Sequence, residues 1–171
     1  MVIINAAEFF ILFLIIITDL LFYEIKNQHV ISLLLLNTLQ LFLLSTFNIY
    51  SILIIILAFV LLIFLCNKNL IGGGDVKLVL VLMVGLSPEE IYNFLIYMSF
   101  VGGGEVIIFL IFSKSINKIR KMIYKIVKHK IISKILFSIN QKLIIVEENS
   151  YLKMEIPYGI SICIGFMLSR I

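Results

Sequence analysis

Asp75 closes the run Ile71-Gly72-Gly73-Gly74-Asp75, and Val76-Lys77-Leu78 opens an apolar segment directly behind it. A carboxylate at the mouth of an apolar helix is costly, and three consecutive glycines weaken any helix that carries them. Such a combination persists readily when the carboxylate does chemical work. A second acid, Asp19, ends the first apolar stretch of the chain. Two carboxylates held together can hydrolyse a peptide bond: one takes a proton from water while the other, protonated, polarises the scissile carbonyl. Like charges a few ångströms apart do not both ionise cheaply, so the proton affinities of such a pair split. Gly72, Gly73 and Gly74 suit that chemistry, because an extended substrate has to lie close to the enzyme backbone and a glycine leaves no side chain in the way. A Gly-rich turn followed by Asp is also an ordinary loop and helix cap, which is the plainer reading of the same residues.

Other chemistries fit less well. His29 and His129 lie far apart without ligand spacing, so no metal and no other cofactor is expected. Neither a Ser-His nor a Cys-His arrangement stands out. The glycine run is not a phosphate loop, since the Lys-Ser/Thr ending is missing. Cys66 and Cys163 sit in apolar surroundings with no paired spacing and read as small core residues.

The elements that position these acids are membrane helices. The chain is 62% hydrophobic and only 14% charged, with a mean hydropathy of +1.17, outside the range of soluble domains. Its 171 residues are expected to form one all-α, membrane-embedded domain over 1–171. A spanning helix needs roughly 20 apolar residues. Six candidates follow along the chain: about Val2–Thr18, His29–Phe47, Tyr50–Cys66, Val76–Leu86, Ile91–Phe112 and Ile156–Leu168. The first lacks the basic start and small-residue end of a cleaved signal. Glu8 lies near its beginning, within reach of the interface. The fourth is short, so it must borrow residues, tilt, or sit partly within protein.

Lys and Arg orient this stack, because cytoplasmic loops carry the excess of both. With the N-terminus outside, Lys26, Lys68, Lys77 and the basic residues from Lys114 to Lys153 all fall inside. That accounts for thirteen of the fourteen basic residues, leaving Arg170 at the outer end. Asp19 then follows one crossing and Asp75 follows three, so both acids end up at one depth on the cytoplasmic face. The net charge of +4 is gathered largely in residues 113–153, a cytoplasmic segment and not a nucleic-acid surface. From Lys114 to Lys134 its apolar residues recur at spacings of three and four, as in an amphipathic helix resting on an anionic inner leaflet. Recruitment of a precursor is the sharper alternative for the same segment.

Further residues have two readings each. Gly102-Gly103-Gly104-Glu105 echoes the first motif inside the fifth span. Its glycines suit close helix packing, and Glu105 is a buried acid able to hold Lys77 or tune the aspartate pair. Lys77 either snorkels to the interface or acts on Asp75. Pro157 starts the final helix, where its missing N–H costs little. Tyr158 serves as an interface anchor or as a contact near the acids.

Gly72-Gly73-Gly74-Asp75 resembles the Gly-x-Gly-Asp signature of the GxGD aspartyl proteases, and Val76-Lys77-Leu78 continues it as in the prepilin (type IV leader) and archaeal preflagellin peptidases. In that family the first Asp is followed by a basic stretch ending in Ile-Pro-Asn. Here Asp19 leads to Glu24-Ile25-Lys26-Asn27, with Ile25 and Asn27 at the expected offsets, Lys26 in place of Pro, and Glu24 where a basic residue is common. Ile156-Pro157-Tyr158-Gly159-Ile160 is similar to the Pro-Tyr-Gly motif opening the last helix of small members. The resemblance runs from Asp19 to the last span and is strongest for the compact peptidases of tight-adherence (Flp) pili.

The resemblance implies that Asp19 and Asp75 are the catalytic pair, supported by Gly72, Gly74, Lys77, Asn27 and Pro157–Gly159. It implies an enzyme of a bacterial or archaeal cytoplasmic membrane that cuts the N-terminal leader from type IV pilin-like precursors at the cytoplasmic face. Larger relatives also methylate the new N-terminus and carry an insertion with paired Cys-x-x-Cys motifs. Insertion and motifs are both missing here, so peptidase activity alone is expected. Two rival readings stay open, namely a small ion-coupled transporter or channel component and a non-catalytic scaffold for pilus assembly.

Overall fold

A computed structural model of the chain describes residues 2–44, 48–128 and 156–170. Every regular element among them is an α-helix: α1 (Val2–Phe22), α2 (Asn27–Leu44), α3 (Ile49–Asn67), α4 (Gly73–Met83), α5 (Pro88–Lys128) and α6 (Tyr158–Ser169). The six apolar segments of the sequence are thus six helices. Two of them, Ile49–Asn67 and Pro88–Phe112, are long and apolar enough to cross a membrane by length and composition. Leu35, Phe42, Leu57, Phe64 and Phe100 are among many large apolar side chains that point outward.

The helix boundaries follow from local chemistry. α1 ends on Tyr23, whose φ of 51° is left-handed and whose N–H donates back to the Asp19 carbonyl at 2.9 Å. Asn48 caps α3, its Oδ1 accepting the Tyr50 N–H at 3.0 Å. A reciprocal capping box opens α5: Ser87 N–H donates to Glu90 Oε2 at 2.7 Å and Glu90 N–H to Ser87 Oγ at 3.3 Å, with Pro88 as the first helical residue.

The shortest helix is the most central. α4 packs against α2, α3 and α6, and α1 packs against α2 and α6. Leu78, Leu82 and Met83 of α4 are fully buried together with Leu12, Leu33, Ile91, Phe94 and Phe166. With 11 residues, α4 stops inside the protein, and side chains of two other helices bond its end and the turn that follows it. Asn37 of α2, itself fully buried, donates through Nδ2 to the Val81 carbonyl at 2.8 Å. Ser51 of α3 donates to the Leu86 carbonyl at 3.1 Å. Gly85 turns the chain between them with a φ of 89°, and a Cβ there would stand 3.1 Å from the Asn37 carbonyl. The short fourth segment is therefore an element seated within protein, as one of its three expected solutions.

α5 and α6 meet through an edge-to-face pair, Phe94 and Phe166, whose ring centroids lie 6.0 Å apart. Gly165 lets them approach. A Cβ there would lie 2.7 Å from the backbone of Met98. In the glycine run of α5, only Gly102 has a neighbour, Ser161 Oγ at 3.5 Å from an added Cβ, while Gly103 and Gly104 face open space. The close approach of the two helices therefore requires Gly165, whereas a Cβ at Gly102 would make only ordinary contact.

The described chain forms two compact units, one of Met1–Glu105 with Pro157–Ile171 and one of Val106–Ile156. The basic segment is helical from 113 to 128 as the continuation of α5. Its remainder, residues 129–153, lies outside the described residues.

Candidate active site

Asp19 occupies the last turn of α1 and is 4% exposed. Gly159, in the first turn of α6, faces it directly: a Cβ at that position would stand 2.6 Å from Asp19 Oδ2 and 3.0 Å from its Cγ. Pro157 is buried at the N-cap of α6, and Tyr158 exposes its ring while its carbonyl accepts the Ser161 hydroxyl at 2.8 Å. The Pro157-Tyr158-Gly159 sequence thus sets a helix start with no side chain where the Asp19 carboxyl needs room.

Asp75 is the third residue of α4, partly buried. Its carboxylate reaches back to the Gly72 backbone N–H, the residue that caps the helix. This is half of a capping box, so the plain capping reading describes part of what Asp75 does. The glycines before it are not equivalent. A Cβ at Gly72 would come 2.9 Å from Asp75 Oδ2, and one at Gly74 would come 3.4 Å from Ile25 Cβ, whereas Gly73 has no neighbour within 4 Å.

Ile25 ties the two acids to one end of the bundle. It lies in the short connection between α1 and α2 and packs partly buried against the core. Its Cβ faces Gly74, next to Asp75, and its Cδ1 would stand 3.3 Å from a Cβ at Gly159, next to Asp19. The structure therefore brings Asp19, Ile25, Gly72, Gly74, Asp75 and Gly159 together. Lys77 is exposed, and its Nζ donates to Asn27 Oδ1 at 3.5 Å. That bond links the start of α4 to the start of α2, and it makes Asn27 the partner of Lys77 where Glu105 was one expectation.

Glu105 of α5 is 8% exposed and within electrostatic range of both Asp19 and Asp75. Ser161 of α6 is a polar neighbour. The Ser161 hydroxyl is engaged by the Tyr158 carbonyl, however, and neither carboxylate oxygen of Glu105 completes a hydrogen bond with a described residue. Among the described residues no group of His, Cys, Asp and Glu is arranged to hold a metal ion.

Three contributors lie outside the sequence motifs. Ser161 carries no signal in the chain, being one small polar residue in an apolar helix. Asn37 and Ser51 do carry one, as isolated polar residues inside apolar stretches. Their partners are main-chain carbonyls distant in sequence, which no local pattern announces.

No curated protein and no solved structure matches the chain. A family model described as Type IV leader peptidase family matches residues 6–115, taking in Asp19, Asp75 and Glu105 and ending before Pro157. With more than half of its length matched in this way, the chain belongs to the type IV leader peptidase family and is a peptidase.

Proposed function

We propose that this chain is a membrane aspartic endopeptidase in which Asp19 and Asp75 share the acid and base work, and that it removes the N-terminal leader from type IV pilin-like precursors. The observation that carries the reading is the meeting of two acids, each beside a glycine that a methyl group would push against, around a single residue, Ile25. One carboxyl takes a proton from the attacking water while the other, protonated, donates to the scissile carbonyl; as the C–N bond breaks, the first gives its proton to the leaving amine and the second takes one back from the tetrahedral hydroxyl. Each proton removed from water is returned to the new amine or carboxylate, so the pair ends each turnover with the proton count it began with.

The six helices and the outward-facing apolar residues support a chain crossing the membrane six times, with the N-terminus outside. In that arrangement the acids open to the cytoplasmic face, and the basic helix after Phe112 rests on anionic lipid. Gly72 and Gly74 keep the surface beside Asp75 low enough for an extended peptide, and the Lys77–Asn27 bond holds α4 against the start of α2.

Co-expression with a pilin-like precursor tests the assignment. Asp19→Asn and Asp75→Asn are each expected to lower leader removal by about 10²–10⁴-fold, the usual worth of a general acid or base. Full leader removal by either variant overturns the role given to that residue.

A further inference from the structure

Buried polar groups in native proteins are almost always hydrogen-bonded, and each exception needs a cause. Glu105 is such an exception: over nine-tenths buried, with both oxygens lacking a hydrogen-bond partner among the described residues. Leaving a carboxyl in that condition costs stability that any apolar residue at 105 would spare. Among the described residues Ser161 of α6 approaches it without completing a hydrogen bond to either oxygen. Gly102, one turn earlier on α5, lies beside Ser161, whose hydroxyl donates to the Tyr158 carbonyl at 2.8 Å. Gly103 and Gly104 contribute no side chain at all. The carboxyl nevertheless stands within electrostatic range of Asp19 and Asp75, at the end of the molecule where a peptide would be cut.

A peptide drawn to that end brings the complementary deficiency. To be hydrolysed it must be extended, and an extended strand in a water-poor site has main-chain N–H groups that lack acceptors. A carboxylate supplies acceptors only. We propose that Glu105 is a substrate-binding residue, whose carboxyl oxygens accept hydrogen bonds from main-chain N–H groups of the peptide lying between Asp19 and Asp75. The inference rests on the peptidase reading of the two aspartates and adds a third acid with a different task. Glu105 takes no part in moving the proton; it holds the chain that the other two cut. The neighbouring glycines fit this role, since side chains at 103 and 104 would narrow the approach on that stretch of α5.

The test is steady-state cleavage of a purified precursor by the full chain in lipid vesicles, comparing wild type with Glu105→Gln and Glu105→Leu. Loss of hydrogen bonds made equally in the ground and transition states raises KM and leaves kcat in place. Glu105→Leu is expected to raise KM about 10–100-fold with kcat within about twofold, as one or two charge-assisted bonds are lost. Glu105→Gln, which keeps one acceptor oxygen, falls between the two. Precursors N-methylated at single amides beside the cut locate the bond: methylation at the contacted amide raises KM for wild type and changes little for Glu105→Leu.

Thermal unfolding supplies the control. Glu105→Leu is expected to be at least as stable as wild type, because an unpartnered buried carboxyl is removed. A fall in stability, an unchanged KM, or a collapse of kcat at constant KM overturns the proposal. So does a KM effect that disappears when the basic side chains of the leader are neutralised, since the partner would then be a charged side chain. Full cleavage by Asp19→Asn and Asp75→Asn would instead remove the aspartate reading on which this inference rests, and inactivity of both alongside a wild-type KM for Glu105→Leu removes only the role of Glu105.

Discussion

A methyl group at residue 159 would sit 2.6 Å from Asp19 Oδ2, well inside van der Waals contact, so any side chain there forces the Asp19 carboxyl to rotate away. If Asp19 is catalytic as proposed, its movement by about 1 Å costs on the order of 10²-fold in rate. Gly159→Ala is therefore expected to cut leader removal by about 10–100-fold while changing stability by less than about 1 kcal/mol, because the aspartate and not the backbone yields. Gly73→Ala is the matched comparison: no atom lies within 4 Å of its added Cβ, and cleavage should stay within about twofold of wild type. Rates and melting temperatures of the two variants in one detergent decide the matter; equal activity would show that Asp19 is not held by the space at residue 159. Much of this site was legible in the chain. The Gly-x-Gly-Asp spacing singles out Gly72, Gly74 and Asp75, and the crossing parity expected from the charges would put Asp19 at the same end. The sequence does not reveal that Gly159 makes room for Asp19, because α1 and α6 meet only once the bundle closes.

The fourth helix shows what a segment too short to cross a bilayer requires. α4 contributes 11 residues, about 16 Å at 1.5 Å per residue, against a hydrocarbon core of roughly 30 Å. Its C-terminal carbonyls would be stranded if they faced lipid, since unpaired backbone is tolerated at that depth only where protein satisfies it. The Val84 and Leu86 N–H groups reach the Val81 and Met83 carbonyls, Asn37 adds a donor to Val81, and Ser51 serves the Leu86 carbonyl in the turn that follows. Asn37→Leu keeps roughly the same volume and removes the donor to Val81, so a loss of about 1–3 kcal/mol is expected. Unfolding of the variant by denaturant in mixed micelles measures it, and wild-type stability would mean that the Val84 N–H, 3.3 Å from the Val81 carbonyl, satisfies it alone. Apolar run length revealed that the segment was short; only the packed structure shows which polar residues complete it. The reverse holds after Phe112. With no glycine or proline between Ser113 and Lys128, nothing in the sequence stops the helix, and α5 continues to Lys128.

Across the whole chain, one basic residue stands apart from the charge asymmetry that orients the proposed six crossings. In that proposed arrangement thirteen of the fourteen Lys and Arg fall on one side and Arg170 on the other. The structure gives this exception an internal partner. Arg170 Nη1 lies 3.5 Å from Glu8 Oε2 and donates to Gln40 Oε1 at 3.1 Å, while its guanidinium stacks 5.0 Å from the Phe166 ring centroid. Glu8, which the sequence placed within reach of the interface, is instead 2% exposed and closes the ends of α1, α2 and α6 against one another. A charge neutralised inside the bundle has little say in which loops stay in the cytoplasm, so Arg170 does not count against the orientation.

The same cluster makes an energetic prediction. Removing one member of a buried ion pair strands the other, at a cost of about 3–5 kcal/mol, whereas replacing both with apolar residues is often close to neutral. Arg170→Leu is expected to destabilise the protein by about 3 kcal/mol, leaving the Glu8 carboxylate without a cation. Glu8→Leu is expected to cost less, because the Arg170 side chain is 14% exposed and can turn toward water. The double variant should recover much of the loss, so the two substitutions are strongly non-additive. Equilibrium unfolding of the four proteins in one detergent completes the cycle, and a double variant as unstable as the sum of the singles would show that Arg170 and Glu8 do not act as a pair.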